Sequence, residues 1–289
     1  MSLAEFKTIF TTQFLKQIKN ININGNYGDF VTARDGLEIL RYAKQINPFL
    51  RISISTNGSA KSKIWTELAK LKIAVRFRLD GLADTHCLYR QDTNYNAIIE
   101  NACSFINAGG VAEWAMIEFD HNKHQIDECR NLSKELGFKS FQLINQGRDT
   151  MPVFNRDKSF SHVIGKFEGP KDFQTLFDRR QLYKQDPGKT VRENKTSNNI
   201  SCQVIGPKEI YITATGEVYP CCWLGHYPLH SLAEPTNIQL KEIVYKNNAL
   251  EYGLEQAIEW FSKVKQSWDY ENVSAGKLYA CNEVCGKKI

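Results

Sequence analysis

Apolar residues recur at helical spacing from the very start of the chain. Leu3, Phe6, Phe10, Phe14 and Ile18 fall on one helical face, behind Ser2 and Glu5, which are spaced as a capping box. Strand-period and helix-period segments then alternate. Strands are predicted over 21–24, 51–55, 73–79, 112–118 and 139–144, separated by helices over 35–45, 61–71, 94–108 and 124–136. Five strands with intervening helices of about a dozen residues predict an α/β fold with a parallel sheet of right-handed βαβ units. Ligands in such sheets sit at the carboxyl ends of the strands. The polar and glycine-rich loops lie at those ends: Asn26 to Asp29, Thr56 to Gly58, and Asp80 to Gly81.

The periodicity fades over 148–200, which reads as a polar connector with one helix near 171–184. Eleven Lys/Arg against seven Asp/Glu there supply most of the net charge of +5. Such a charge run reads as a solvated surface. Beyond it, strands at 210–213 and 218–219 flank Ala214-Thr215-Gly216-Glu217, a hairpin by its turn chemistry. Helices follow over 238–247 and 248–265, the second with Leu250, Leu254, Ile258 and Phe261 on one face. The predicted domains are 1–147, 148–200 and 201–289.

Composition narrows the class. With 42% hydrophobic and 24% charged residues, the 289-residue chain is neither disordered nor fibrous. A net charge of +5 is too mild to argue for nucleic acid. No stretch reaches the roughly 18 consecutive apolar residues of a membrane span, and the N-terminus does not read as a signal peptide. A cytoplasmic location is therefore expected, and there clustered cysteines are more often metal ligands than a disulfide framework.

Of the eight cysteines, Cys103 and Cys129 fall in predicted helices and read as small hydrophobes, while Cys87 falls in a predicted loop. Cys202, Cys221, Cys222, Cys281 and Cys285 cluster in the last third. Four thiolates from distant positions suit an iron–sulfur cluster or a zinc ion. Zinc sites usually offer two tight pairs, and only Cys281-x-x-x-Cys285 is tight here, which favours the cluster. Neighbouring side chains on an extended segment point opposite ways, so one of Cys221 and Cys222 ligates, and Cys221 is preferred. The expected ligands are Cys202, Cys221, Cys281 and Cys285. His121, His124 and Cys129 read as a helix entry, and Trp114, Trp223, Trp260 and Trp268 as packing residues.

Taken together, these segments resemble the radical S-adenosylmethionine (SAM) enzymes that carry a C-terminal SPASM or twitch-type iron–sulfur extension. Gly25-Asn26-Tyr27-Gly28-Asp29 resembles that family's GGEP-like loop, although Phe30 stands where Pro is common. Ser55-Thr56-Asn57-Gly58 resembles its S/T-N-G strand ending, and Arg78-Leu79-Asp80-Gly81, followed by Tyr89-Arg90, its S-[IL]-D-G turn. Gly216-Glu217-Val218-Tyr219-Pro220-Cys221 resembles the SPASM hairpin, with Cys281 and Cys285 as closing ligands. The resemblance implies a partial (β/α) barrel lacking its first strand and a small C-terminal Cys-rich domain. It also implies an auxiliary [4Fe-4S] cluster, weak SAM binding, and a peptide or protein substrate.

By position, the resemblance puts Gly25, Asn26 and Tyr27 beside the methionine end of SAM and Asp29 near its ammonium. Thr56 and Asn57 would line the mouth of the pocket, Asp80 would face the ribose, and Arg90 would pair with the carboxylate. The family's C-x(3)-C-x(2)-C loop is absent from these 289 residues, because no three cysteines have that spacing. The chain opens on what reads as the first helix, just downstream of where that loop belongs. The expected consequences are an iron–sulfur protein unable to cleave SAM alone, a non-catalytic binding module with a structural metal, or half of a split enzyme whose partner chain supplies the loop.

Overall fold

The computed structural model describes residues 1–25, 28–61, 63–144, 151–155, 157, 159–164, 199–226 and 234–286. Asn26, Tyr27 and the expected helix over 171–184 lie outside these residues. The chain divides into two compact units, Thr12–Asp178 and Met1–Thr11 with Arg179–Ile289.

The first unit is built on a five-stranded sheet in sequential order: β1 (Asn20–Asn24), β2 (Arg51–Thr56), β3 (Ala74–Arg78), β4 (Val111–Ile117) and β5 (Ser140–Ile144). Every neighbouring pair is parallel. Parallel neighbours need long crossovers. These are supplied by α3 (Gly36–Ile46), α4 (Lys63–Lys70), α6 (Tyr95–Asn107) and α7 (Ile126–Glu135). All five strands match the hydrophobic pattern to within a residue or two.

The two faces of the sheet differ. Ile52, Ile54, Val75, Phe77 and Trp114 are buried on one of them. There Phe77 lies 5.2 Å from the Trp65 ring of α4, 6.1 Å from Phe105 of α6 and 6.0 Å from Phe138. Most alternate positions are polar, running through Asn22, Ser53, Ser55, Arg76, Glu113 and Gln142, with Ala115 and Ile117 of β4 buried among them. Ser53 donates to Asn22 at 2.7 Å, and Arg76 holds one Glu113 oxygen through two N–H groups at 3.0 and 2.8 Å. Parallel sheets usually bury both faces in apolar contact. This one keeps a largely polar face over β1 to β3.

Several elements depart from the sequence reading. Ala83–Tyr89 forms a helix, α5, so Cys87 lies on a helix and not in a loop. The stretch read as a polar connector contains an antiparallel hairpin, β6 (Met151–Phe154) with β7 (Phe160–Ile164). Val153 and Ile164 of that hairpin pack on Ile117 and Phe119, a tertiary contact that local composition does not reveal.

The single N-terminal helix expected is two. The first, α1 (Leu3–Ile9), begins in the capping box, with Glu5 N–H donating to Ser2 Oγ at 3.2 Å and Ser2 N–H to Glu5 Oε2 at 2.6 Å. It ends at Phe10, and α2 (Thr12–Gln17) follows. Each half serves its own core. Ile9 is buried with Val218, Ala249 and Ala257 in one unit, while Asn47 holds the Leu15 and Ile18 carbonyls of the other at 2.8 and 3.2 Å.

In the second unit the hairpin β8 (Tyr211–Ile212) and β9 (Val218–Tyr219) leads into α8 (Cys222–His226), and later into α9 (Glu234–Ile243). The helix expected over 248–265 breaks into α10 (Ala249–Tyr252), α11 (Leu254–Ala257) and α12 (Phe261–Gln266). Gly253 sits at φ +79 at the first break, a conformation glycine reaches without penalty, and Ile258 is exposed. α13 (Tyr279–Cys285) closes the unit. Trp260, Tyr219, Leu224, Leu240, Val264, Leu278 and Cys281 form its core. Trp114 and Trp260 are fully buried, as expected of packing residues, whereas Trp223 is 45% exposed.

Two glycines, one in the loop leaving β2 and one in the loop entering β4, test how tightly the connections are built. Gly58 has φ +77, and a Cβ there would stand 2.7 Å from Ile98 and 3.0 Å from Phe77, whereas Gly109 at φ +85 has open space around it. Gly109→Ala should cost about 1 kcal/mol from backbone strain alone, and Gly58→Ala about 2–4 kcal/mol because overpacking adds to it. Urea unfolding midpoints of the two variants measure the difference.

Candidate functional site

Two separate groups of predicted residues gather at the carboxyl ends of the strands. The first joins the loops after β1 and β2. A Cβ on Gly25 would lie 2.1 Å from the Gly28 carbonyl oxygen, so this loop closes on itself with no room for a side chain. Asp29 then caps the one-turn helix Phe30–Thr32, accepting from Val31 N–H at 3.3 Å. Its other oxygen accepts from Thr56 Oγ1 at 2.7 Å and from Asn57 N–H at 2.8 Å. Thr56 in turn accepts from Gly58 N–H at 3.0 Å, and Asn57 Oδ1 from Ser59 N–H at 2.9 Å. Asp29 thereby latches one strand-end loop onto the next.

The second group lies after β3 and β4. Asp80 is fully buried. One carboxylate oxygen accepts from Ile117 N–H at 2.6 Å, and the other meets Arg90 Nε at 2.7 Å. The sequence reading brings Asp80 and Arg90 separately to a ligand, and the structure joins them to each other. The Arg90 guanidinium also stands over the Tyr89 ring, 4.7 Å from its centroid.

Around this pair lies a buried polar shell that the sequence reading missed. His86 Nδ1 accepts from Asp80 N–H at 3.1 Å, and Nε2 meets Thr93 Oγ1 at 3.1 Å. Thr93 donates to the Arg90 carbonyl at 2.6 Å. Asn122 donates to the carbonyls of Asp80 and Ile117 at 3.1 and 2.9 Å, and Gln125 Oε1 accepts from Leu82 N–H at 2.9 Å and from the Thr85 hydroxyl. His86 and Asn122 have no exposed surface. Burial drives the His86 pKa down to about 4, with Asp80 opposing the shift and Arg90 adding to it. With Nδ1 accepting, the imidazole is neutral and carries its proton on Nε2.

His121 stacks on Phe119 with ring centroids 5.2 Å apart. Cys129 is fully buried in α7, where burial pushes its thiol up to about 12.

The four cysteines expected as ligands share one cavity of about 420 Å³. Cys202 comes from the loop before β8, Cys221 directly follows β9, and Cys281 and Cys285 lie one turn apart on α13. Val204, Leu224, Val264 and Ala280 also line the cavity. Cys222 is exposed and does not line it. Burial drives the thiols up, Cys281 to about 12 and Cys221 to about 11, and neighbouring thiols push in the same direction. Among the described residues no three His, Cys, Asp or Glu side chains converge closely enough for one ion. The thiols instead face a space larger than an ion. An apolar chamber with four soft donors suits a thiophilic group wide enough to reach all of them.

No protein-family model and no curated protein matches the sequence. Solved structures match it in shape. Streptococcus suis SuiB superposes with a TM-score of 0.52 at 15% identity, over 97% of this chain and 71% of SuiB. The same protein bound to the precursor peptide SuiA gives 0.52 at 13% identity, over 97% and 69%. Native anSMEcpe with bound AdoMet and the Cp18Cys peptide gives 0.56 at 14% identity, over 99% and 81%. At such identity the likeness is one of fold: an α/β architecture carrying a parallel five-stranded sheet. Among the described residues, no helix is long and apolar enough to cross a membrane.

The buried imidazole makes stability depend on pH in a defined window. Unfolded, His86 takes up a proton near pH 6.5; folded, it does so only near 4. The unfolded chain thus binds more protons between those values, and stability falls by roughly 3 kcal/mol as pH drops from 6.5 to 4. His121, also lowered by burial, acts in the same direction. His86→Asn, which keeps an acceptor for Asp80 N–H, should flatten the decline between pH 6.5 and 5 in urea titrations, leaving the smaller part due to His121.

Proposed function

We propose that this chain is an iron–sulfur protein of the radical SAM type, with a SPASM- or twitch-like C-terminal end and a peptide or protein as its partner. The observation that carries the reading is the convergence of Cys202, Cys221, Cys281 and Cys285, drawn from three regions of the sequence, on one apolar cavity. The peptides bound by SuiB and anSMEcpe, on the same fold, support a peptide partner. The polar face of the sheet and the strand-end loops are the surface on which that partner and SAM would be received.

The four thiols would hold a [4Fe-4S] cluster as thiolates, so loading releases protons and becomes easier as pH rises. When bound, such a cluster supplies a one-electron redox centre. The chain's own contribution is to exclude water with Val204, Leu224 and Val264, and to fix two ligands rigidly on α13. Anaerobic reconstitution should give about four iron and four sulfide per chain. Stoichiometric zinc without sulfide would overturn the assignment. Cys221→Ser should lose most of the iron, and Cys222→Ser should keep it.

SAM cleavage is a separate matter. The 289 residues contain no C-x(3)-C-x(2)-C loop, and Asp29, Asp80 and Arg90 spend their polar atoms on one another and on the loops. This pairing favours the second reading, a binding module with a structural metal. The two readings agree that this chain alone binds SAM weakly and does not cleave it. Reconstituted protein incubated with SAM and dithionite should form no more 5′-deoxyadenosine than a protein-free control. Turnover above that level would refute the claim.

A further inference from the structure

The core around the cysteines contains two indole N–H groups, Trp260 Nε1 and Trp268 Nε1, that are buried without a hydrogen-bond partner. Native structures rarely leave a buried donor unpaired, so each such group asks for an explanation. The two tryptophans differ in what they face. Trp260 is wholly buried and packs edge-on against Tyr219, with centroids 5.8 Å apart, and does not line the cysteine cavity. Trp268 lines the cavity and, like Cys221, packs against the core that includes Cys281. It lies on the one-turn helix Ser267–Asp269, which is held to α12 by Ser267 Oγ donating to the Val264 carbonyl at 2.6 Å.

We propose that Trp268 is a positioning residue for the metal centre: its indole N–H is the hydrogen-bond donor to the sulfur of ligated Cys281, and it raises the reduction potential of the cluster. The inference rests on the cluster reading given above. An indole nitrogen only donates, and a neutral thiol is a weak acceptor, so the donor finds little to bond in the unloaded chain. Ligation converts Cys281 to a thiolate, and a charged sulfur accepts strongly. Reduction adds a further negative charge to the cluster, which a fixed N–H dipole stabilises more than the oxidised form. The indole stands beside the Cys281 thiol without reaching hydrogen-bond geometry to it in the unloaded chain.

Trp260 provides the internal control, since it loses the same N–H on conversion to Phe without lining the cavity. Wild type, Trp268→Phe and Trp260→Phe are reconstituted anaerobically, assayed for iron and sulfide, and titrated potentiometrically with the paramagnetic reduced state as readout. Trp268→Phe should hold iron and sulfide as the wild type does. Its midpoint should move to a more negative potential, by on the order of tenfold in the reduction equilibrium, or about 59 mV for one electron. Trp260→Phe should stay at the wild-type midpoint. An unshifted Trp268→Phe, or an equal shift in both variants, overturns the inference and leaves the cluster reading standing. A wild-type chain that takes up no iron and sulfide overturns the cluster reading and the inference with it. Should Trp268→Phe lose its iron, benzothienylalanine at position 268 decides the matter, because it keeps the ring shape and replaces only the N–H.

Discussion

A carboxylate with no exposed surface, Asp80, holds the ligand end of the sheet together. Parallel strands leave their carboxyl ends to loops, whose backbone groups are paired neither by the sheet nor by the helices that follow. Asp80 answers that need at four points. Its carboxylate takes Ile117 N–H from the end of β4 and the Arg90 side chain from the end of α5. Its own N–H goes to His86, and its carbonyl to Asn122. Removing one partner of such a buried pair leaves an uncompensated charge, which is far more costly than never having built it. The surrounding polar residues are fixed by that consequence. His86 must remain neutral to accept from Asp80 N–H, and Arg90 must remain where its charge balances the carboxylate.

The same network bears on what this end of the sheet can do. A carboxylate already held by an amide and a guanidinium has little left to offer a ribose hydroxyl, and an arginine held by it is a weakened partner for a ligand carboxylate. Asp29 is in a comparable position, bonded to Thr56, Asn57 and Val31. These side chains act first as architecture: they shape the loops whose backbone would face a ligand. The polar face of the sheet, with Arg76 and Glu113 paired across β3 and β4, is the complementary part of that surface.

The strands were legible because their apolar alternation and terminal glycines are local signals, and the parallel order follows from the helices between them. What escaped depends on contacts between distant residues. Helix α5 reads as polar because Asp84, Thr85 and His86 are polar, yet Thr85 and His86 are buried against Gln125 and Asp80. The face shared by Leu3 and Phe14 suggests one helix, but Ile9 and Leu15 belong to two cores, and the chain breaks between them. The hairpin of β6 and β7 is specified by the Ile117 and Phe119 surface it covers. At the candidate site, Asp80 and Arg90 stood out as polar loop residues ten positions apart. Their mutual bond could not be read, because turn residues and ion pairs share the same letters.

The cysteines show the opposite relation between sequence and structure. Their spacing alone is ambiguous, and what sharpens it is the chemistry of the walls. Beside Val204, Leu224, Val264 and Ala280, burial holds the Cys221 and Cys281 thiols well above their ordinary pKa, so the cavity disfavours bare thiolates at these two positions and any reaction that needs one. A positively charged metal centre reverses that preference, because it neutralises the charge that the walls cannot solvate. The apolar lining thus disfavours the reactive, unligated thiolate while leaving ligation open, and the binding free energy of the metal becomes part of the stability of this unit. The unpaired indole of Trp268 follows the same logic on the donor side. It is a donor whose neighbouring sulfur becomes a strong acceptor only once ligation gives it charge.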